Sequence, residues 1–321
     1  MSHATLKRVL LSLLLPLWLT GRVLATPSSD FHAQALSDMQ SLTDYLNGQF
    51  TKSMGLYSTL GWNNPPGVFD LVVGPHFEIG VGGGVDLIQV TNLNNLNLGA
   101  LQGSSNISLP AVLPAPFPAG TLRMGLANGL DIGLKLLYLP QINLPDIGFS
   151  GQYTGVGIDF RYRILEGANL PTLTVGVSWD ELSGSLGIST NVNQNSTYSD
   201  SGTNYSAQVS GTTGYSLNWN VHSFGAKLLL GKNLMVIYPF VGVGFQRNSG
   251  TVVSSINGQL TTTVNSVVDT INPAVVTNGN PVVFEPKYVA GIDFGEGLHW
   301  ALVGESNGSD LAISTSLRCQ F

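Results

Sequence analysis

The sequence predicts an all-β fold: an antiparallel transmembrane β-barrel of about ten strands, preceded by a short α-helix. Three observations carry that expectation. Charged residues make up 10% of the 321 residues, against roughly 25% in soluble domains, and mean hydropathy is +0.21. Past the first twenty residues no run of eighteen apolar residues occurs, so a helical membrane span is not expected. The apolar residues are instead dispersed by alternation, which is the pattern of a wall with lipid on one side and a lumen on the other.

The amino terminus reads as a signal peptide, residues 1–25. Lys7 and Arg8 supply the charged region, Val9 to Thr20 the apolar stretch and Val23-Leu24-Ala25 the cleavage site. Twelve apolar residues are too few to span a bilayer. Its removal takes away Lys7, Arg8 and Arg22 and no acid, so the net charge moves from −6 to −9. That balance excludes nucleic acid as an expected partner. The single Cys319 excludes an intramolecular disulfide.

Residues 26–66 are expected to form an N-terminal helical segment. Phe31, Ala35, Met39, Leu42, Leu46 and Phe50 make one apolar stripe, with Ser29 as N-cap and Asn47-Gly48 as the stop, so the helix is placed over 28–50. Such a helix could plug a lumen, cap the periplasmic mouth or pack on a partner. Residues 67–321 are expected to form the barrel.

Asp70 to Ile88 alternates without losing phase and predicts one long strand. Further alternating stretches begin at Leu122, Leu130, Val156, Leu173, Trp219, Leu234, Tyr288, Leu298 and Leu311. A bulge is expected between Val221 and Phe224, where the apolar residues change phase. Residues 91–117, 140–147, 189–213, 248–280 and 306–310 are expected to be loops. They alternate with short links at 127–129, 166–170, 231–233 and 295–297, as in barrels with short turns at one rim and long loops at the other. This makes ten strands. Twelve result if Met54 to Trp62 adds a strand and the long first strand is broken.

Charges segregate along these strands. Glu78, Arg123, Asp131, Lys135, Asp159, Arg161, Arg163, Asp180, Lys227, Lys287, Asp293, Glu305 and Arg318 all stand opposite an apolar face. An Arg or Lys facing mid-membrane lipid costs about 2–4 kcal/mol. Thirteen misplaced charges would exceed a net stability of about 5–15 kcal/mol, so these residues are expected to face the lumen. There they either line a constriction that biases ion passage or fill a narrow barrel as a salt-bridge network. Tyr138, Tyr153, Trp179, Trp219, Tyr238, Tyr288 and Trp300 are expected to anchor the interfaces.

The last strand, Leu311 to Phe321, sets Leu311, Ile313, Thr315, Leu317, Cys319 and Phe321 on one face and Ala312, Ser314, Ser316, Arg318 and Gln320 on the other. This strand resembles the assembly signal of Gram-negative outer-membrane β-barrels, in which alternate apolar residues lead to a final Phe. The resemblance implies a bacterial outer-membrane location, contact with outer-membrane lipid, and recognition of Leu317, Cys319 and Phe321 by the assembly machinery. It leaves the oligomeric state open.

Other motifs carry little chemistry. Gly304-Glu305-Ser306-Asn307-Gly308 is near the His-x-Ser-Asn pattern of barrel lipid hydrolases, but Gly304 stands where the base belongs, so the hydroxyl has no activator. No catalytic residue is expected. The five His residues lack metal-ligand spacing, so neither a metal nor a cofactor is expected. The functions consistent with these observations are a porin-like channel for ions or small solutes, a structural or surface-interaction barrel with a filled lumen, and an uptake channel for apolar molecules.

Overall fold

The computed structural model describes residues 28–61, 76–89, 112–126, 129–167, 170–200, 203–264 and 267–321. The expected signal peptide, residues 70–75 of the first strand, and most of the 91–117 segment lie outside the described residues. Helix α1 spans Ser28–Thr59. The strands are β1 His76–Gln89, β2 Val112–Gly125, β3 Leu130–Leu144, β4 Phe149–Gly167, β5 Leu170–Asp200, β6 Thr203–Gly231, β7 Ile237–Val264, β8 Val267–Ile271, β9 Ala274–Gly279, β10 Phe284–Glu296, β11 Leu298–Ser306 and β12 Leu311–Gln320.

Each of β1 to β7 pairs antiparallel with its sequence neighbour. β7 then pairs with β10, β10 with β11, β11 with β12, and β12 with β1. Ten strands therefore close into a barrel, which leaves no open edge to hydrocarbon. The seam is sealed at its end by two backbone bonds, Phe77 N–H to Phe321 O at 3.2 Å and Phe321 N–H to Phe77 O at 2.9 Å. The outward face of the wall carries Phe77, Ile79, Leu134, Leu136, Ile158, Phe160, Val175, Val177, Leu228, Val241, Val243, Leu302, Ile313 and Leu317, all exposed. Leu317, half-exposed Cys319 and Phe321 lie on that face.

Three strands run far beyond the band. A 31-residue strand such as β5 reaches roughly 100 Å, about three times the 9–11 residues needed to cross a bilayer. Residues 189–213 and 248–280, expected as loops, are strand over almost all of their described length. Thr172↔Gly231 to Asp200↔Thr203 is one unbroken β5–β6 ladder. Outside hydrocarbon no face has to be apolar, so a strand there need not show a hydrophobic period. Hydroxyl and amide pairs such as Thr212 Oγ1 to Asn191 Oδ1 (2.8 Å) and Ser216 Oγ with Ser255 Oγ (2.7 Å) join it across the ladder instead. β8 and β9 pair only with the outer part of β7, at 260–264 and 252–257. With β10 they form one return path interrupted at Asn272-Pro273 and at 280–283, where Pro273 and Pro281 lack the N–H that a ladder needs. Together these segments form a fin standing on one side of the barrel. The twelve strands of the sheet thus arise from the fin, while residues 54–61 are helix and its terminal turn.

Three further expectations are corrected. The helix does not stop at Asn47-Gly48. The Asn47 amide turns to the wall, donating to Val252 O and Ser254 Oγ, both at 3.0 Å, so it caps nothing. The helix continues to Thr59, and Gly61, with φ +86°, takes the left-handed conformation that ends it. Nor is there a bulge at 221–224: β6 keeps its register with both neighbours throughout. What changes there is the wall's surroundings. Below Phe224 the apolar side chains Leu228 and Leu230 face out, whereas above it Val221, Trp219, Leu217 and Tyr215 face in. The 140–147 loop shrinks to a single 3-10 turn, Pro145–Ile147, and a register irregularity falls between Leu139 and Ile142.

Candidate functional site: the lumen and its helix

All thirteen sequence-predicted charged residues are buried in the barrel. They fall into three groups. The first runs around β3, β2, β1, β12 and β10. Arg123 lies 3.5 Å from Asp131 and 3.7 Å from Glu78, Glu78 lies 3.0 Å from Arg318, and Arg318 lies 2.6 Å from Asp293. His299 Nδ1 stands 3.1 Å from Asp293 at the end of that chain. The second group is centred on Asp159, whose two oxygens meet Arg161 Nε at 2.6 Å and Lys227 Nζ at 2.7 Å. Arg163 is buried two residues further along the same face. The Lys227 side chain crosses over β5 at Gly176, where a Cβ would crowd both it and Arg161.

The third group holds α1. Lys135 is 0% exposed. Its ammonium pairs with Asp180 at 2.8 Å and donates to Ser58 O and Leu60 O, both at 2.9 Å. Lys287 pairs with Glu305 at 2.8 Å and donates to Thr59 O at 3.3 Å and Thr59 Oγ1 at 2.7 Å. A helix C-terminus presents unsatisfied carbonyls and a partial negative charge. The last turn of α1 has no basic residue of its own, so the barrel wall supplies two cations. Lys135 thereby uses all three of its donors.

Higher up, contacts become apolar. Met39, Leu42, Leu46, Met54, Leu56, Tyr57 and Leu60 share one buried cluster with Phe117, Leu137, Tyr153, Leu182, Ile188, Tyr215, Leu217, Trp219, Val221, Val252, Ile256 and Leu260. Tyr57 packs edge-on against Phe117 and Tyr153, with ring centroids 6.0 and 5.9 Å apart, and donates to Pro116 O at 2.7 Å. Tyr153 and Trp219 are therefore core residues against the helix, not interfacial anchors. Burial pushes the Tyr215 phenol well up from its ordinary value, and its hydroxyl meets Ser254 Oγ at 3.1 Å. Close approach needs glycine on both partners. A Cβ at Gly55 would strike the Glu285 carboxylate and the Asn248 amide, and one at Gly279 would strike Asn47.

Sequence reasoning missed a polar collar at this level. Glu285 Oε2 accepts from Gln246 (2.8 Å) and Asn248 (3.0 Å), and Gln246 Oε1 accepts from Thr59 at 2.9 Å. Glu285 stands two residues from Lys287 on the same face of β10, which was the available signal. Asp86 is also fully buried, with neither oxygen hydrogen-bonded by a side chain. Ser306, the candidate hydroxyl, donates to Asp310 O at 2.7 Å, while Asn307 Oδ1 accepts from Ser309 and Asp310 N–H groups. This is a turn-forming arrangement. Among the described residues no cluster of three or more His, Cys, Asp or Glu is placed to hold a metal ion.

The direction of α1 follows from its contacts. Gln40 and Asp44 meet Thr277 of β9, in the fin, at 2.8 and 2.5 Å, while residues 58–60 reach Lys135 and Lys287 inside the barrel. The helix thus enters from the long-strand end. That end is external where short turns are periplasmic.

No protein-family model matches the chain, and no curated relative matches it. Among solved structures it is similar to the translocator domain of the autotransporter NalP from Neisseria meningitidis (10% identity, 89% of this chain and 99% of that one, TM-score 0.30). It is also similar to an outer membrane channel from Pseudomonas putida F1 (11%, 81% and 100%, TM-score 0.33). A third is the Ralstonia pickettii toluene transporter TbuX (9%, 77% and 89%, TM-score 0.27). A closed antiparallel wall, apolar outside and ionic within, suits hydrocarbon around it and a polar interior: the chain has the fold of an outer-membrane β-barrel.

Proposed function

We propose that this protein is an outer-membrane barrel with a filled lumen, acting at the cell surface through the fin of β5 to β9. The observation that carries this reading is the seat of α1. Its tip is held by Lys135 and Lys287, its sides are packed on the apolar cluster, and the charged layer beneath it is buried. On this reading the helix and the charged layer, not a solute path, occupy the lumen among the described residues. The fin supplies a large external surface rich in Ser, Thr and Asn, with Asp200 and Asp269 as its acids.

A second reading is a channel for ions or small solutes that opens when α1 withdraws. It is favoured by the course of the lower ion pairs, which join adjacent or next-but-one strands along the wall: β2 with β1 and β3, β12 with β1 and β10, β6 with β4. Side chains lying along the wall would line a vacated lumen and set its selectivity. Single-channel recording in a planar bilayer separates the readings. The filled barrel is expected to be silent both as the whole chain and as the Lys135→Met/Lys287→Met variant. Ohmic steps that appear only in that variant, and whose ion selectivity changes on adding Arg161→Glu, would establish the gated channel. Steps in the unaltered protein would sink the filled-lumen reading.

A further inference from the structure

The basic residues of the described chain divide sharply by place. Arg123, Lys135, Arg161, Arg163, Lys227, Lys287 and Arg318 are buried in the lumen. Lys52 is on α1 and Lys232 in a short turn. Arg247 alone among them stands exposed on the outward face of the barrel wall. Its register is specific: Trp179 of β5 pairs with Phe224 of β6, Phe224 with Arg247 of β7, and Arg247 with Phe284 of β10. The three aromatic rings are 40%, 50% and 61% exposed, so a guanidinium is set into a four-strand aromatic row.

That row is where the outward face changes character. Beneath it lie Val177, Phe245, Val243, Leu228 and Tyr288, all exposed, and Phe245 stacks on Phe284 at 5.2 Å. Above it the outward positions are Glu181, His222, Ser249 and Asn220. His222 stacks on Trp179 at 6.4 Å and lies 4.0 Å from Glu181. Aromatic rings mark the depth at which hydrocarbon gives way to headgroups. A planar guanidinium offers paired donors suited to phosphate. Arg247 makes no ion pair among the described residues, so no described carboxylate takes up its donors.

We infer that Arg247, in the row Trp179–Phe224–Arg247–Phe284, binds the phosphorylated headgroup of an outer-leaflet glycolipid whose acyl chains lie on Phe245, Phe284, Val243 and Tyr288. The headgroup is the committed source of the phosphate because the site is continuous with the lipid-facing band. His222, one row further out, is the second group able to donate to it, while Glu181 belongs to the far side of the row and is two strands from Arg247. The assignment rests on the barrel's membrane placement. It is independent of whether the lumen conducts.

The test is native mass spectrometry of the detergent-purified full chain with a bis-phosphorylated diglucosamine lipid, its phosphate-free counterpart, and inorganic phosphate as competitor. The unaltered protein is expected to retain the phosphorylated lipid, with Arg247→Ala weakening retention by about tenfold, as for loss of a charge-assisted contact, and Arg247→Lys by less. Phe284→Ala is expected to weaken both lipids alike, since it removes contact with the chains. Folding of each variant is verified by its heat-modifiable mobility. Equal retention by Arg247→Ala, or equal affinity for the phosphate-free lipid, overturns the site. Displacement of the lipid by millimolar inorganic phosphate overturns the headgroup assignment.

Discussion

The two halves of the lumen are built from opposite materials on the same strands. On β6, Lys227 lies inward in the lower half, against Asp159, while Leu217, Trp219 and Val221 lie inward in the upper half, against α1. The outward face is reversed: Leu228 and Leu230 are exposed below, and Asn220 is exposed above. Side-chain orientation never changes, because a strand's period of two is set by its backbone. What changes is the solvent on each side. Inside the membrane band the apolar residues must face lipid and the charges turn in. Beyond it water takes the outer face, and the helix offers an apolar surface within.

This contrast can be broken at defined places. The largest effect is expected at Lys135→Ala, which removes the buried cation beside the Asp180 carboxylate and one of the two cations at the end of α1. Breaking a buried pair in this way costs about 3–5 kcal/mol. Thermal unfolding in detergent measures it, and the paired change Lys135→Met/Asp180→Leu is expected to recover most of the barrel's stability while leaving α1 more open to protease. Next is Leu56→Ala, a fully buried helix residue in the upper cluster, with an expected loss of about 3 kcal/mol, partly as a cavity. If the same loss left α1 as protease-resistant as before, the upper cluster would not be what seats the helix.

A third pair compares one strand with itself. Leu228→Lys puts a charge in the band and is expected to cost about 2–4 kcal/mol at the midplane. Asn220→Lys, eight residues up the same face, is expected to change stability by less than about 0.5 kcal/mol. Equal costs would mean that the band has been placed at the wrong height. Removing the terminal ring with Phe321→Ala is expected to lower the yield of assembled barrel in cells with little change in the melting of what does assemble. The smallest energetic effect belongs to an epitope inserted before Ser28. It is expected to leave stability unchanged and to be reached by antibody on intact cells, because α1 enters from the fin end.

The sequence carried the band well. Alternation at Leu134, Leu136 and Tyr138 against Lys135, or at Val241, Val243 and Phe245, reports directly which side meets lipid, since that requirement is imposed residue by residue. It also set thirteen charges opposite the apolar faces, and all thirteen are buried. It did not report the fin, because strands in water on their outer face need no outward apolar period. It misread Val221 to Phe224 as a bulge, taking a change of surroundings for a change of register. Asn47-Gly48 looked like a helix end because an Asn amide that bonds to Val252 and Ser254, more than two hundred residues away, cannot be told in one dimension from a cap.

What the sequence by itself determined is the sidedness of each strand in the band and the presence of a helix before the first strand, because both follow from local periodicity. What only the tertiary structure decided is where that helix ends and what holds it. Lys135 and Lys287 are ordinary inward charges until closure of the barrel sets them against Ser58, Thr59 and Leu60. The reason is physical: a helix terminus is satisfied by whatever donor lies nearest in space, and here the donors come from β3 and β10, strands that meet around the helix only once the wall is closed.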